Sequence, residues 1–439
     1  LVQTAAGVWN FSTVGAPSGA PPAASSGAPP PPSPKSAAEP AAAPRLSIAS
    51  VKIFDGRLSM TKTGARNKPL ILDKVNIQVQ NFSPDSSFPF SLSANVSGGV
   101  TIKLDGKAGP IDTGDAAATP FNAKLSVAHL DLAASGILDP SLNVAGIASI
   151  DGVAESAHGV IGLTGKLKGE QLKLAKNGAP AKRSAEVDFA ISHNLAKQSG
   201  AVQRMAIHLG NAVAILTGTY GLDTEPATVN LKLAGSKMPL TEMASFLPAL
   251  DIVLPAGASI DKGTADVNLT SAGRLDKLVT AGTVSVADAR LQKYDFASKL
   301  QVLHEFTGIK AQPHTEIQTL AANVKNTVEG TALDNIQLVI PSVGAIDGAG
   351  TISSAHALDF KMRAAVRGTS AMASLAATTG GVPFTIQGSS ENPIVRPDVR
   401  GLVKGTLKGF TGSSSAKDTA VGILNGLLGG RKKQPPPQK

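Results

Sequence analysis

The sequence predicts an all-β protein: an elongated meander of antiparallel strands, interrupted by a few short helices. Apolar residues recur at every second position, which is the periodicity of a strand with one apolar and one polar face. The 45 glycines and 29 prolines favour short segments joined by turns over long helices. Hydrophobic residues make up 42% of the chain and aromatic residues only 4%, so we expect a core of aliphatic side chains.

The clearest form of this pattern lies between Gly330 and Arg367. Its first apolar run ends at Pro341, which cannot donate to a strand ladder. The Gly-rich stretch that follows, Gly344 to Gly350, predicts a turn before a second alternating run. The side chains of this stretch that we expect to line the apolar face, and with it a hydrophobic groove, are Ile336, Leu338, Ile340, Leu358, Phe360 and Met362, with Val284 and Val286 nearby.

Composition divides the chain into five segments. We interpret residues 1–11 as the end of an upstream segment, because the chain starts at Leu1 rather than Met, and residues 12–44 as a disordered Pro/Ala-rich linker. Residues 45–235 and 236–410 are predicted to be two successive β segments, and 411–439 a flexible tail.

Short motifs predict the local breaks. Asp55-Gly56 lies between apolar runs and predicts a hairpin turn, as does Gly210-Asn211. A bulge is expected at Asp73-Lys74.

Two segments have helical rather than strand periodicity. Leu240–Leu250 places Leu240, Met243, Phe246 and Leu247 on one face, with Thr241 as the expected N-cap. Phe296–Ile309 shows the same spacing. We expect both to be short helices that cover a sheet end; a mobile lid over a groove is the alternative.

Charge and cysteine content exclude several function classes. The net charge is +9, but the basic residues are scattered along the chain, which indicates solvated strand faces rather than a nucleic-acid footprint. Without cysteine there is no disulfide framework and no thiolate site. The sequence shown contains no run of about 18 apolar residues, which is the length that a transmembrane helix needs.

Catalytic motifs are not found. The seven histidines have no metal-ligand spacing; the nearest approach to a cluster is His304-Glu305 and His314 with Glu316, and we interpret all seven as ordinary surface residues. GVIGLTGKLKG, from Gly159, lacks the hydroxyl residue of a phosphate loop. The sequence therefore predicts a protein that is not an enzyme and uses no cofactor or metal.

The apolar strand faces need to be buried in some way. Sandwich, barrel and open groove all satisfy the pattern. A groove of Val, Leu and Ile without polar anchors would suit acyl chains, which need no specific hydrogen bonds.

Several stretches resemble the AsmA family. SIASVKIFDGRLSM is similar to its strand-DGR-strand element, and the sequence from Met238 to Met362 is similar to its C-terminal portion. PFTIQGSSENPIVRPDVRGLVKG resembles its closing strand. The resemblance covers most of Leu46–Lys408 and implies a twisted antiparallel sheet folded into an open hydrophobic groove.

The resemblance also implies a location and partners. The resemblance implies a Gram-negative envelope protein on the periplasmic side of the inner membrane, anchored by an N-terminal helix upstream of Leu1. Its expected partners are phospholipid acyl chains and the membrane, with no nucleic acid, and its expected role is phospholipid transfer for outer-membrane biogenesis. The alternative is a scaffold that docks other envelope proteins by strand addition and aids outer-membrane protein assembly. A polysaccharide-binding repeat is disfavoured by the low aromatic content.

Overall fold

A computed structural model confirms the all-β prediction, with 69% strand and 6% helix. It describes residues 2–3, 47–62, 70–96, 100–115, 118–138, 142–299, 312–366 and 381–398. The linker at 12–44, the tail at 411–439 and the segment from 300 to 311 lie outside these residues, so the predictions made there are not addressed.

The strands form a meander. Their bounds are β1 Val2–Gln3, β2 Ile48–Lys62, β3 Leu70–Phe82, β4 Phe88–Val96, β5 Val100–Ala108, β6 Phe121–Asp131, β7 Ala145–Ala157, β8 Val160–Lys173, β9 Ala185–Asn194, β10 Ser199–Leu209, β11 Ala212–Gly221, β12 Thr228–Pro239, β13 Ser259–Arg274, β14 Val279–Gln292, β15 His314–Thr327, β16 Gly330–Ile340, β17 Gly344–Ser353, β18 Ala357–Val366, β19 Val382–Ser389 and β20 Pro393–Pro397.

Nineteen strands form one antiparallel sheet that does not close on itself. From β2 to β11 and from β14 to β20, each strand pairs with the next one in the sequence. The two residues of β1 pair in parallel with Thr61 and Lys62 of β2.

The chain divides into two units. The first comprises Leu1–Leu233, Ser245–Asp251 and Ala272–Asp276, and the second comprises Ala234–Ala244, Ile252–Ser271 and Lys277–Lys439. The largest buried cluster of the second unit extends over β15 to β19 and helix α2 (Phe296–Lys299). The first unit has a cluster around Val127 and Ala148 and another around Ala185 and Phe246.

Non-glycine residues with positive φ recur at interior strand positions. Lys74 has φ 49°, and the register between β3 and β4 shifts between Asp73 and Asn76, which confirms the predicted bulge. Register shifts also surround His129 and Asn335. Within the described strands, such residues are Asp55, Lys74, Asn81, His129, Gln171, Lys237, Asp288 and Asn335.

At five of these positions, Asp55, Lys74, His129, Gln171 and Asn335, a register shift resets the alternation of side chains. In a regular strand, residues three apart point to opposite faces. The bulge at Asn335 instead leaves Leu333 and Ile336 in the same apolar cluster, and the one at His129 does the same for Val127 and Leu130. The residue directly after the left-handed position is buried at Val75, Leu130, Met238, Ala289 and Ile336.

Side chains of neighbouring strands hold these bulges in place. Asn76 Oδ1 accepts from the backbone N–H of Asp55 at 3.2 Å, and Asp266 Oδ1 accepts from that of Lys237 at 2.9 Å. Ser149 Oγ accepts from His129 N–H at 3.2 Å. These bonds supply partners for amides that the distorted ladder leaves unpaired.

The hairpin predicted at Asp55-Gly56 is wrong. Strand β2 runs through both residues, and the register shift between Ile53 and Gly56 makes them a bulge. The turn predicted from Gly344 to Gly350 is also wrong, because this stretch is strand β17. The hairpin turn at Gly210-Asn211 is confirmed between β10 and β11.

The two helical segments are shorter than predicted. Leu240–Leu250 forms α1, Leu240–Met243, and a separate 3₁₀ turn, Leu247–Leu250. Thr241 is not the cap: Pro239 occupies that position without a side-chain hydrogen bond. The expected common face is also wrong, since Leu240 and Met243 pack with Ala265 whereas Phe246 packs with Ala185. Of the segment 296–309, the described residues form α2.

Candidate functional site

The eight apolar side chains predicted to form a site share one face of the sheet in the second unit. Directly opposed residues of antiparallel strands point to the same face. Val286 opposes Leu320, which opposes Leu338, which opposes Ile346; Val284 opposes Ala322. Gly348 opposes both Ile336 and Met362, Gly344 opposes Ile340, Gly350 opposes Phe360, and Ile352 opposes Leu358.

Half of these side chains belong to the core. Ile336, Ile340, Phe360 and Met362 are between 2% and 8% exposed and lie in one buried cluster. Val284, Leu338 and Leu358 are partly exposed and pack against that cluster. Val286 packs instead with Leu240, Ala265 and Ala289. Only the partly exposed members therefore present apolar surface to a ligand.

Two strand glycines make room for this cluster. A Cβ on Gly348 would lie 2.6 Å from Met362 Sδ, and a Cβ on Gly350 would overlap the Phe360 ring. Both side chains thus fold across the backbone of β17. Gly348 and Gly350 are required by the packing of the apolar face rather than by a turn.

A continuous apolar ladder crosses the first unit from β5 to β11. Its members are Ile102, Val127, Ile150, Leu167, Val187, Ile207 and Ala214, each directly opposite the next. All except Val127 are partly exposed. The ladder is a stripe of aliphatic surface that the described residues cover only in part.

A second row on the same face contains polar groups. It runs through Phe121, Ser156, Ile161, His193, Gly200 and Tyr220, again each opposite the next. Ser156 is 4% exposed, and neither its Oγ nor His193 Nδ1 has a hydrogen-bond partner among the described residues. Burial lowers the pKa of His193 from its ordinary value of 6.5, which favours the neutral form of its imidazole.

The Tyr220 ring lies across Gly200 and stacks on His193. The ring centroids are 5.8 Å apart and the planes differ by 7°. A Cβ on Gly200 would overlap the Tyr220 ring, so this glycine permits the stacking. The Tyr220 hydroxyl donates to the Ser192 carbonyl at 3.5 Å. The interpretation of every histidine as an ordinary surface residue is wrong for His193.

The opposite face carries charge. Glu316 accepts from Lys262 Nζ at 2.9 Å and from Arg290 Nε at 2.6 Å. The hydrogen bonds from Lys262 and Arg290 lower the pKa of the Glu316 carboxyl from its ordinary value of 4.5. Two further residues complete this group. Asp261 Oδ2 lies 3.6 Å from Arg290 Nη1, and His314 Nε2 lies 3.5 Å from Glu316 Oε1. These partly exposed ion pairs are typical of a solvated strand face.

Within the part of the chain that the structure describes, no three His, Asp or Glu side chains are arranged to hold a metal ion. His314 and Glu316 do come together, but as members of the ion-pair group. Among these same residues, no helix has the length and apolar character needed to cross a membrane.

Comparisons of the chain with protein-family models, curated proteins and solved structures give no match. The features that bear on function are the apolar face of each unit and the row of polar groups.

Sequence reasoning missed the polar row because its members are far apart in the chain. Ser156, His193 and Tyr220 come from three strands and share no motif. The available signal was a polar residue at the apolar phase of a strand: His193 continues the alternation of Val187, Phe189 and Ile191.

Proposed function

We propose that this protein binds phospholipid acyl chains along the apolar face of its open β-sheet and guides them as a non-enzymatic lipid carrier. The observation that carries the proposal is the ladder from Ile102 to Ala214, an unbroken aliphatic stripe across seven strands. Partly exposed apolar surface of this extent favours an apolar ligand. Acyl chains fit because they need contact area rather than hydrogen bonds.

The proposed setting is the periplasmic side of the Gram-negative inner membrane, in outer-membrane biogenesis and maintenance. Its support is the resemblance of SIASVKIFDGRLSM and of the stretch after Met238 to the AsmA family. A single open sheet with one apolar and one charged face agrees with a groove of that kind.

The natural absence of cysteine allows a direct test. Leu338 and Gln337 are adjacent in β16 but point to opposite faces. We expect phospholipid to slow maleimide labelling of Leu338→Cys while leaving Gln337→Cys unchanged, and we expect phospholipid to co-purify with the full chain in native mass spectrometry. Equal labelling of both cysteines, in a folded chain that carries no lipid, would refute the proposal.

The docking scaffold is the second candidate, favoured by strand β2. Its Ile48, Val51, Ile53 and Phe54 are 36%, 37%, 47% and 71% exposed, which is unusual for apolar residues of one strand. A partner strand added to this edge would cover them. If the protein is a docking scaffold, Phe54→Lys should abolish co-purification of a partner protein. Neither the wild-type chain nor Leu338→Cys should then carry phospholipid.

A further inference from the structure

The row from Phe121 to Tyr220 differs from the rest of the apolar face because two of its polar atoms lack partners. Burying a hydroxyl without a hydrogen bond is costly, and orphaned groups of this kind require an explanation. Ser156 Oγ and His193 Nδ1 are both buried and unpaired among the described residues. They lie on the same face, separated by Ile161 of the intervening strand.

The surroundings of this row select the chemistry of its ligand. Its other side chains, Phe121 and Tyr220 on either side and Ile161 between Ser156 and His193, are apolar or aromatic. The row contains no Lys or Arg that could balance an anion, and burial favours the neutral form of its imidazole. A phosphate or carboxylate would lose its hydration here without a counter-charge. An uncharged acceptor, such as an ester carbonyl, accepts a hydrogen bond without that cost.

We propose that Ser156 and His193 form an anchor subsite that binds the acyl-ester carbonyl oxygens of a glycerolipid. The Ser156 hydroxyl donates to one carbonyl. His193, in the tautomer that carries its proton on Nδ1, donates to the other. The two residues are two strands apart, roughly 10 Å along the row. Two carbonyls of one glycerolipid, each about 3 Å from its donor, fit this spacing.

Stacking fixes the orientation of the imidazole. The Tyr220 ring is nearly parallel to that of His193, and Gly200 lets it lie flat across the strand between them. The acyl chains would then continue from the anchor onto the ladder of Ile150, Leu167 and Val187. This subsite rests on the proposed function, because it names the part of the lipid that the apolar face recognises.

The test compares dipalmitoyl phosphatidylethanolamine with its dihexadecyl ether analogue, which has the same chains and head group but no carbonyls. We expect the full wild-type chain to bind the ester lipid about three- to tenfold more tightly, as one or two hydrogen bonds predict. Ser156→Ala and His193→Leu should each reduce this ratio toward one. Ser192→Ala, adjacent to His193 but on the opposite face, should retain it.

The outcomes separate the two proposals. Equal binding of ester and ether lipid by the wild-type chain overturns the anchor and leaves the lipid-binding function standing. An ester preference that persists when Ser156 and His193 are both replaced also overturns it. Binding of neither lipid by the folded chain overturns both proposals. Circular dichroism of Ser156→Ala, which removes only an unpaired hydroxyl, identifies any loss of fold.

Discussion

Phe360 on β18 lies over Gly350 on β17, so the side chain of one strand occupies the space that a Cβ of the other would need. The pairing buries the ring to 8% exposure, and the described residues place no second layer of strands above it. The same device joins Tyr220 to Gly200 in the first unit. In both places a glycine inside a strand allows an aromatic side chain to cover its neighbour.

Gly350→Ala should destabilise the second unit because the new methyl group collides with the Phe360 ring. We expect a loss of about 1–3 kcal/mol in the free energy of unfolding, measured by urea denaturation. In a Phe360→Ala background the same substitution should cost less, since the collision with the ring is gone and only the close approach to the Asp359 carbonyl oxygen, at 2.6 Å, remains. Gly162→Ala, a strand position with open space around it, is the control and should change stability little. Additive costs in the double variant would contradict the packing.

Asn335 tests the requirement for a left-handed residue at a strand bulge. Its φ of 52° is accessible to Asn and Gly but strained for a β-branched side chain. Asn335→Val should lower the free energy of unfolding by about 1–3 kcal/mol, whereas Asn335→Gly should be nearly neutral. Thermal denaturation of the two variants is the measurement. Val and Gly variants of equal stability would show that the bulge relaxes.

Two buried hydroxyls with opposite hydrogen-bond status should respond oppositely to removal. Thr315 Oγ1 donates to the Tyr294 carbonyl at 2.7 Å and accepts from Phe296 N–H at 2.9 Å. Thr315→Val leaves both groups unpaired and should cost about 1–3 kcal/mol, whereas Ser156→Ala removes an orphaned group and should be neutral or stabilising. Urea denaturation measures both. A destabilised Ser156→Ala would mean that its hydroxyl has a partner.

The Glu316 ion pairs predict a dependence of stability on pH. Because the pKa of this carboxyl is lower in the folded chain than in the unfolded one, its contribution is complete above the unfolded value of 4.5 and is lost as the pH falls through the folded value. Glu316→Gln should therefore be less stable than wild type near neutral pH and equally stable once the wild-type carboxyl is protonated.

Denaturation midpoints of the two chains across the acid range give the measurement. Lys262→Gln, which removes the first partner of the carboxylate, should flatten the same pH dependence. If the denaturation midpoints of Glu316→Gln and wild type differ by the same amount at every pH, the linkage between this carboxyl and stability is ruled out.

Side-chain alternation was sufficient to predict the strands, since period two in runs such as Leu358, Phe360 and Met362 has no helical equivalent. It was not sufficient at Asp55-Gly56, because the residues that allow positive φ in a hairpin turn also allow it in a bulge. The turn predicted around Gly348 and Gly350 was wrong for a related reason: the sequence does not show which side chain of the next strand needs the space that a Cβ would fill.

The candidate site was likewise predictable only in part. The eight apolar residues could be assigned to one face from their phase in the strands, but their burial depends on cross-strand neighbours that the sequence does not show. The polar row was beyond reach, because the relation of Ser156 to His193 depends on the registers of β7, β8 and β9. A lone histidine in one strand predicts neither of its neighbours.

Pairing of each strand with its sequence neighbours has a consequence for how the chain folds and comes apart. Such a sheet has nearest-neighbour coupling, in which each strand is stabilised by the one before and the one after it. Formation can begin at any hairpin and spread outward, with little loop-closure entropy at each step. Opening should begin at an outer strand such as β20, which among the described residues pairs on one side only, and proceed strand by strand, so that hydrogen exchange is fastest at the margin and slowest in the interior.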